Sequence, residues 1–279
     1  MVIRELLKAV ADKLSDCENH IFETHLIVRS VLSMSPIELV LAHDKEVRAE
    51  DAEIIFGMAN RRLDGEPLVY ILGTQEFMGI EFNVNRNVLI PRQDTETLVE
   101  AVLGHIKSDG ATVLDIGCGS GCVGLSVAYH NPRVYTRGID ISAGAIEISR
   151  ENAEKLGLVE RADFIHADIL SEHLKGKYDV IVSNPPYIRS SEIEGLQAEV
   201  KVFEPHLALD GGEDGLVFYR RIVKEAKSLL NAEGMLAFEV GYDQAEDVAA
   251  LMEESFCDIR KIKDLCGVER VVTGILKRL

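Results

Sequence analysis

Ala111-Thr-Val-Leu-Asp115-Ile-Gly117-Cys118-Gly119-Ser120-Gly121 is the stretch that decides how this chain folds. An apolar run of strand character, Ala111–Ile116, breaks into alternating glycines, and Val123–His130 then carries a helical pattern. Glycines at a strand–helix turn adopt backbone conformations closed to other residues and let a ligand come close. In open α/β sheets, ligands sit beyond the carboxyl ends of the strands, where the strand order reverses. By itself the loop is ambiguous. Gly119-x-Gly121-x-x-Gly124 also satisfies a dinucleotide-binding pattern, and Asp140, closing the next strand, stands where an acid binds a ribose. A tight turn with no ligand is the plainer alternative. Asp115 separates the readings. An acid ahead of the glycines suits a cationic or amine-bearing ligand and opposes a pyrophosphate at the helix N-terminus.

Downstream, strands and helices alternate. Tyr135–Ile139 reads as a strand, and Ser142–Leu156 as a helix capped by Ser142 and stopped at Gly157. Asp163–Ala167 and Tyr178–Ser183 are further strands, the second apolar enough for a buried parallel position. Leu216–Leu230 is helical, Met235–Val240 a strand and Gln244–Glu254 helical, and Ile259–Lys263 with Val268–Leu276 reads as a terminal antiparallel hairpin. This alternation predicts an α/β fold: a Rossmann-like doubly wound sheet with right-handed crossovers.

Upstream the period is helical. Ile3, Leu6, Leu7, Val10 and Leu14 share one face, as do Ala52, Ile55, Phe56, Ala59 and Leu63. Ser35-Pro36-Ile37-Glu38 is a helix start with a capping box. Residues 1–74 therefore read as a small helical bundle. Residues 75–92, with a hairpin around Gly79 and an extended Val88–Arg92, read as a structured linker, and 93–279 as the α/β domain. His20, Glu23 and His25 near Cys17 invite a metal reading, but the two histidines are not spaced to share one helix face, and a solvated surface or core edge is the expectation.

Composition narrows the partners. Across 279 residues, 30 Lys and Arg stand against 47 Asp and Glu, a net charge of −17. A chain that holds nucleic acid by its phosphates needs a basic face. The acidity favours small molecules or a protein partner, with no direct nucleic-acid binding. No apolar run approaches the ~18 to 20 residues of a membrane span, and the amino-terminal stretch lacks a signal-peptide core. Cys17, Cys118, Cys122, Cys257 and Cys266 are odd in number and scattered, which suits reduced thiols and a cytoplasmic location, with no metal expected.

The fourth strand ends in Asn184-Pro185-Pro186-Tyr187, on the same rim of the sheet as the glycines. A planar NH2 group is a poor nucleophile because its lone pair is delocalised. Two acceptors that take both N–H bonds pin the nitrogen; the Asn184 side-chain oxygen and the Pro185 carbonyl are suited to this. Consecutive prolines fix φ and remove competing donors. Tyr187 can stack on a planar target.

Asp-x-Gly-x-Gly-x-Gly, with an acid ending the second strand, resembles the S-adenosylmethionine-dependent methyltransferases, and Asn-Pro-Pro-Tyr narrows the resemblance to enzymes that methylate an amide or exocyclic amine nitrogen. Gly65-Glu66-Pro67-Leu68, Tyr70-Ile71-Leu72-Gly73, Glu76-Phe77, Leu89-Ile90-Pro91-Arg92, Asp94-Thr95-Glu96 and Phe203-Glu204-Pro205 through Asp214-Gly215-Leu216 are all similar to the protein-(glutamine-N5) methyltransferase family, HemK/PrmC. One departure is Gln93, where the family usually has proline. The resemblance implies methyl transfer to the glutamine of the Gly-Gly-Gln motif in class 1 peptide-chain release factors, with S-adenosylhomocysteine as the other product and the helical domain docking the substrate. It also implies the site roles. Asp115, Gly117, Cys118, Gly119, Ser120 and Gly121 would wrap the methionine part of the cofactor, Asp140 would take the ribose hydroxyls, and Asp168 and Ile169 would border the adenine. Asn184, Pro185, Pro186 and Tyr187 would hold the substrate amide, with Asn184 also bordering the cofactor. Pro91-Arg92 and Thr95-Glu96 would form pocket wall, with Arg92 either a ligand contact or an interdomain ion pair. The alternatives are a ribosomal-protein glutamine methyltransferase, an adenine-N6 DNA methyltransferase, a nicotinamide-dependent oxidoreductase, which leaves Asn184–Tyr187 unexplained, and a non-catalytic cofactor module.

Overall fold

A computed structural model describes residues 1–107 and 109–278, and the chain divides into two units, Met1–Gly73 and Thr74–Leu279. The first holds α1 (Ile3–Lys13), α2 (His20–Leu32), α3 (Pro36–Leu41), α4 (Ala49–Leu63) and α5 (Leu68–Leu72). Ile3, Leu6, Leu7, Val10 and Leu14 of the predicted stripe are buried against Ile27, Val28, Leu39, Ile55 and Ala59. Leu63, expected on the apolar face of α4, is exposed because the helix ends there. The capping box of α3 forms as predicted: Ser35 Oγ accepts the Glu38 N–H at 3.2 Å, and Glu38 Oε2 accepts the Ser35 N–H at 2.8 Å. Glu23 bonds Arg62 at 2.8 Å, so it serves a buried ion pair of the bundle.

The second unit opens with the hairpin β1 (Thr74–Phe77) and β2 (Ile80–Asn83), followed by a 3-10 turn at Gln93–Thr95 and α6 (Glu96–His105). Then come β3 (Thr112–Ile116), α7 (Cys122–His130), β4 (Tyr135–Asp140), α8 (Ala143–Lys155), β5 (Ala162–His166) and β6 (Tyr178–Ser183). After these run α9 (Ala198–Phe203), α10 (Val217–Leu229), β7 (Leu230–Glu239), α11 (Ala245–Met252), β8 (Phe256–Lys263) and β9 (Glu269–Leu276).

Seven strands form one sheet in the order β5-β4-β3-β6-β7-β9-β8. The first five are parallel, and β9 inserts antiparallel between β7 and β8, so the C-terminal hairpin joins the sheet edge as expected. The doubly wound α/β fold is thus as predicted, and strand order reverses between β3 and β6. Each face of the sheet is covered by its own apolar layer. One gathers Val113, Val180, Val182 and Ala237 with α6 and α7; the other gathers Leu114, Ile181, Leu236 and Phe238 with α10 and α11. The 75–92 stretch needs correcting. Phe77, Ile80 and Phe82 are buried in the first of these layers, and Asn152 of α8 bonds both the N–H and the carbonyl of Asn83, so the hairpin belongs to the α/β unit instead of linking two bodies. The sequence-level boundary missed this because alternation signals a strand but not what it packs on.

Candidate active site

The switch point brings the two singled-out strand ends together. Ser183 Oγ at the tip of β6 donates to the Ile116 carbonyl at the tip of β3, 2.6 Å away. After β3 the chain turns through Gly117, Gly119 and Gly121, whose φ values of +72°, +56° and +78° lie where other residues are strained. The Gly117 and Cys118 N–H groups both donate to the Ile139 carbonyl of β4, and Ser149 and Asn152 of α8 bond the carbonyls of Gly119 and Ser120. Held from behind on both sides, the loop leaves its front open. A Cβ at Gly117 or Gly119 would meet nothing within 4 Å.

That front faces a cavity of about 340 Å³, within the usual range for small-molecule sites. Asp115, Gly117, Cys118, Gly119, Ser120, Asp140, Asp168, Ile169, Asn184, Pro185 and Pro186 all line it, as do Pro91, Arg92 and Thr95. Three expected residues stand off it: Glu96, whose carboxylate accepts the Met78 N–H at 2.6 Å, Gly121 and Tyr187. Gly121 caps α7 and packs inward, where an added Cβ would lie 3.0 Å from Leu125 and 3.3 Å from Phe164. Tyr187 packs against the apolar layer of α10 and α11, and burial raises its hydroxyl to about 12. A stacking platform for a planar substrate is therefore not where the ring sits. Its backbone, not its ring, belongs to the tetrapeptide's support.

Asp115 is buried, and its Oδ2 accepts the Gly124 N–H at 2.9 Å, occupying the first turn of α7. Gly124 leaves no room for a side chain, since a Cβ there would lie 2.5 Å from Thr136 Oγ1. An anion at this helix start would face that carboxylate directly, which argues against a pyrophosphate. Burial first, then the Asp140 charge, lifts Asp115 to about 7 against the pull of the Gly124 N–H. Asp140 accepts the Gly119 N–H on Oδ2 and the Ser142 N–H on Oδ1, both at 2.9 Å, and burial raises its pKa too. Each oxygen keeps a lone pair for a ligand hydroxyl.

Across the cavity, Asn184 Nδ2 donates to Thr95 Oγ1 at 3.3 Å. Arg92 lines the cavity, and its ion pair is not the interdomain one expected: the guanidinium pairs with buried Glu204 inside the same unit. The loop after Glu204, with Pro205, Leu207 and Ala208, completes the wall. The tetrapeptide is braced from behind. Gln244 Nε2 donates to the Tyr187 carbonyl at 3.0 Å, and Gly211 N–H donates to the Ile188 carbonyl at 2.8 Å.

Sequence reasoning missed several wall residues. Arg86–Val88, Ile141, Ser142, Leu170, Phe218 and Ile222 also line the cavity. Phe218 and Ile222 carried no separate signal, because their apolar side chains on α10 look the same whether they face core or ligand. Ser142 was legible only as a cap, a role it does fill by accepting the Ala145 N–H at 3.2 Å.

Comparison with known proteins agrees with this geometry. The family model described as Methyltransferase small domain matches residues 93–212, and that described as PrmC N-terminal domain matches residues 5–73. The release factor glutamine methyltransferase of Geobacter sulfurreducens is 42% identical over 258 residues, covering 92% of this chain and 90% of that protein. Its namesake from Clostridium botulinum is 41% identical over 90% of each chain. A methyltransferase structure from Pyrococcus furiosus shares the fold at a TM-score of 0.53 and 16% identity, over 82% of this chain and 98% of that one. With two thirds of its length and more matched at such identity, the chain belongs to the release factor glutamine methyltransferase family.

Proposed function

We propose that this protein transfers a methyl group from S-adenosylmethionine to the side-chain amide nitrogen, N5, of the glutamine in the Gly-Gly-Gln motif of class 1 peptide-chain release factors. The observation that carries the reading is the single cavity walled by Gly117–Ser120 on one side and Asn184–Pro186 on the other. The residues present fit the methyl donor. The open glycine cradle suits its amino-acid portion, Asp140 its ribose, and Ala167–Leu170 its adenine edge. Buried Asp115 and half-buried Asp140 give the site a negative character that favours a cation. When bound, the donor supplies a methyl carbon made electrophilic by a positively charged sulfur.

The chain's own part is alignment. An amide nitrogen attacks poorly while conjugated with its carbonyl. Asn184 Oδ1 and the Pro185 carbonyl accept its two N–H bonds, localising the lone pair and holding the nitrogen on the axis of displacement. Pro185 and Pro186 offer no N–H to compete for those acceptors. Because attack consumes the positive charge, holding the reactants in line matters more than a general base, and the amide proton leaves after transfer. Residues 1–73, of which 5–73 match the PrmC N-terminal family model, would contribute to recognising the release factor. The net charge of −17 argues against a nucleic-acid substrate.

The test is incubation of purified release factor with the protein and S-adenosylmethionine, followed by peptide mass spectrometry. One added methyl on the loop glutamine is expected. Its absence, with methylation found on a ribosomal protein instead, would reassign the substrate.

A further inference from the structure

The tetrapeptide chemistry leaves one matter open: what makes Asn184 turn its oxygen, not its NH2, toward the substrate. A carboxamide presents donors from one side and an acceptor from the other, and the two orientations have nearly the same shape. Only the orientation with Oδ1 in the cavity accepts from a substrate NH2. The partner of Asn184 is a hydroxyl, Thr95 Oγ1, at 3.3 Å. A hydroxyl both donates and accepts, so Thr95 by itself accommodates either orientation.

Behind this pair lies Glu239, the last residue of β7 and next to the β6 tip in the sheet. It is 3% exposed, and its Oε2 has no hydrogen-bond partner among the described residues. An unsatisfied buried carboxyl oxygen is costly and calls for an explanation. Burial raises the group to about 7, while hydrogen bonding from Thr95, the Arg270 charge and hydrogen bonding from Asn184 pull toward the charged form, and Asp94 opposes it. Arg270 sits 3.1 Å from Asp94, so cation and carboxylates form one buried-edge cluster. The Tyr187 and Tyr219 hydroxyls and Cys122 also feel the Glu239 charge.

We infer that Glu239 is a positioning residue that sets the orientation of Asn184, both directly and through Thr95. As a carboxylate, the form that Arg270 and the bonds from Thr95 and Asn184 favour, Glu239 only accepts, so the Thr95 O–H and an Asn184 N–H both point to it. Thr95 Oγ1 is then left as an acceptor, the Asn184 NH2 donates to it, and Oδ1 is turned into the cavity. Replacing the carboxylate with an amide removes this polarity: a glutamine at 239 donates to Thr95 as readily as it accepts, and Asn184 can then present its NH2 to the substrate. Thr95 thereby acquires a role beyond forming wall, and Glu239 acts on the site from behind it. This inference rests on the proposed amide methylation.

Glu239→Gln preserves volume and is the decisive variant. It should lower kcat for release-factor methylation about 100-fold, with KM for the release factor and the dissociation constant of S-adenosylmethionine within about threefold of wild type. Thr95→Val should lower kcat by less, because Asn184 keeps its bond to Glu239, and Thr95→Ser should recover most of what Thr95→Val loses. The double variant Glu239→Gln/Thr95→Val should be no slower than the worse single one, because both break one chain. Turnover of Glu239→Gln within about threefold of wild type, multiplicative losses in the double variant, or an equal loss of cofactor affinity would each overturn the inference. A second readout needs no substrate. In protein labelled with 15N-asparagine, the Asn184 side-chain NH2 signal, assigned by its disappearance in Asn184→Asp, should be protected from solvent exchange in wild type and exposed in Glu239→Gln. Equal protection in both rejects the orienting role even if the methyl acceptor proves to be another protein; a wild type inactive on release factors with this exchange difference intact rejects only the substrate.

Discussion

Gly211→Ala isolates the backbone support of the tetrapeptide. Gly211 has a φ open to any residue, so alanine brings no conformational strain, only a methyl group. That methyl would lie 2.8 Å from the Pro186 carbonyl oxygen and 2.8 Å from Tyr187 Cα, whereas ordinary contact begins at 3.4 Å. Both obstacles are backbone, so rotating a side chain gives no relief, and the two loop segments must part by about 0.6 Å, as repacking around an added core methyl generally requires. The segment pushed is the one proposed to hold the substrate nitrogen through the Pro185 carbonyl and the Asn184 side chain. A misplacement of about 1 Å at reacting groups costs roughly 100-fold. A shift of about half that should therefore cost on the order of tenfold in kcat, or about 1.4 kcal/mol of barrier. The glycine loop after β3 is untouched, so S-adenosylmethionine affinity by titration calorimetry should stay within about twofold. Stability should fall by about 1 to 3 kcal/mol, measured by denaturant unfolding. Gly195→Ala is the control, since a Cβ there meets nothing within 4 Å. Single-turnover methyl transfer at saturating cofactor is the assay. A folded Gly211→Ala protein that turns over at the wild-type rate would refute the claim that this backbone is held to a fraction of an ångström.

Asn184→Ala should keep cofactor affinity and lose most turnover in the same assay; loss of both together would show that it serves the cofactor instead. Asp140→Ala should weaken S-adenosylmethionine binding by roughly 10-fold or more in calorimetry, since a carboxylate to hydroxyl bond contributes about 1.5 to 3 kcal/mol. Asp115, at about 7 instead of the usual 3.8, holds a proton in the folded state that the unfolded chain has already lost. Stability of the free protein should therefore fall as pH rises from about 4 to 7, while affinity for the cationic cofactor rises through about pH 7. Titrations across that range should show both trends, and Asp115→Asn should weaken both, with Glu239 and Asp140 sustaining the rest of the stability trend. Removing residues 1–73 should leave cofactor affinity near wild type and sharply raise KM for intact release factor; unchanged methylation would exclude a docking role for that unit.

Much of this site could be read along the chain because its chemistry sits in contiguous segments. Glycine spacing at 117–121, the acid at 140 and the tetrapeptide at 184–187 each report local backbone demands, and strand–helix alternation then places them on one rim. The order of the strands, with β3 beside β6, made that rim a single cavity. What the sequence left unassigned depends on contacts between distant positions. Phe77 and Phe82 of the hairpin look like linker until they are found buried with Val99 and Val102 of α6. Tyr187 looks like a stacking ring until it turns into the apolar layer beside α10. Arg92 shows its partner only once Glu204, 112 positions away, is brought alongside. Thr95, Asn184 and Glu239 come from three separate elements, and no periodicity links them. Local propensity is written in neighbouring residues. The direction in which a buried side chain points is set by the sum of its packing and hydrogen-bond partners, and those are chosen only when the sheet closes.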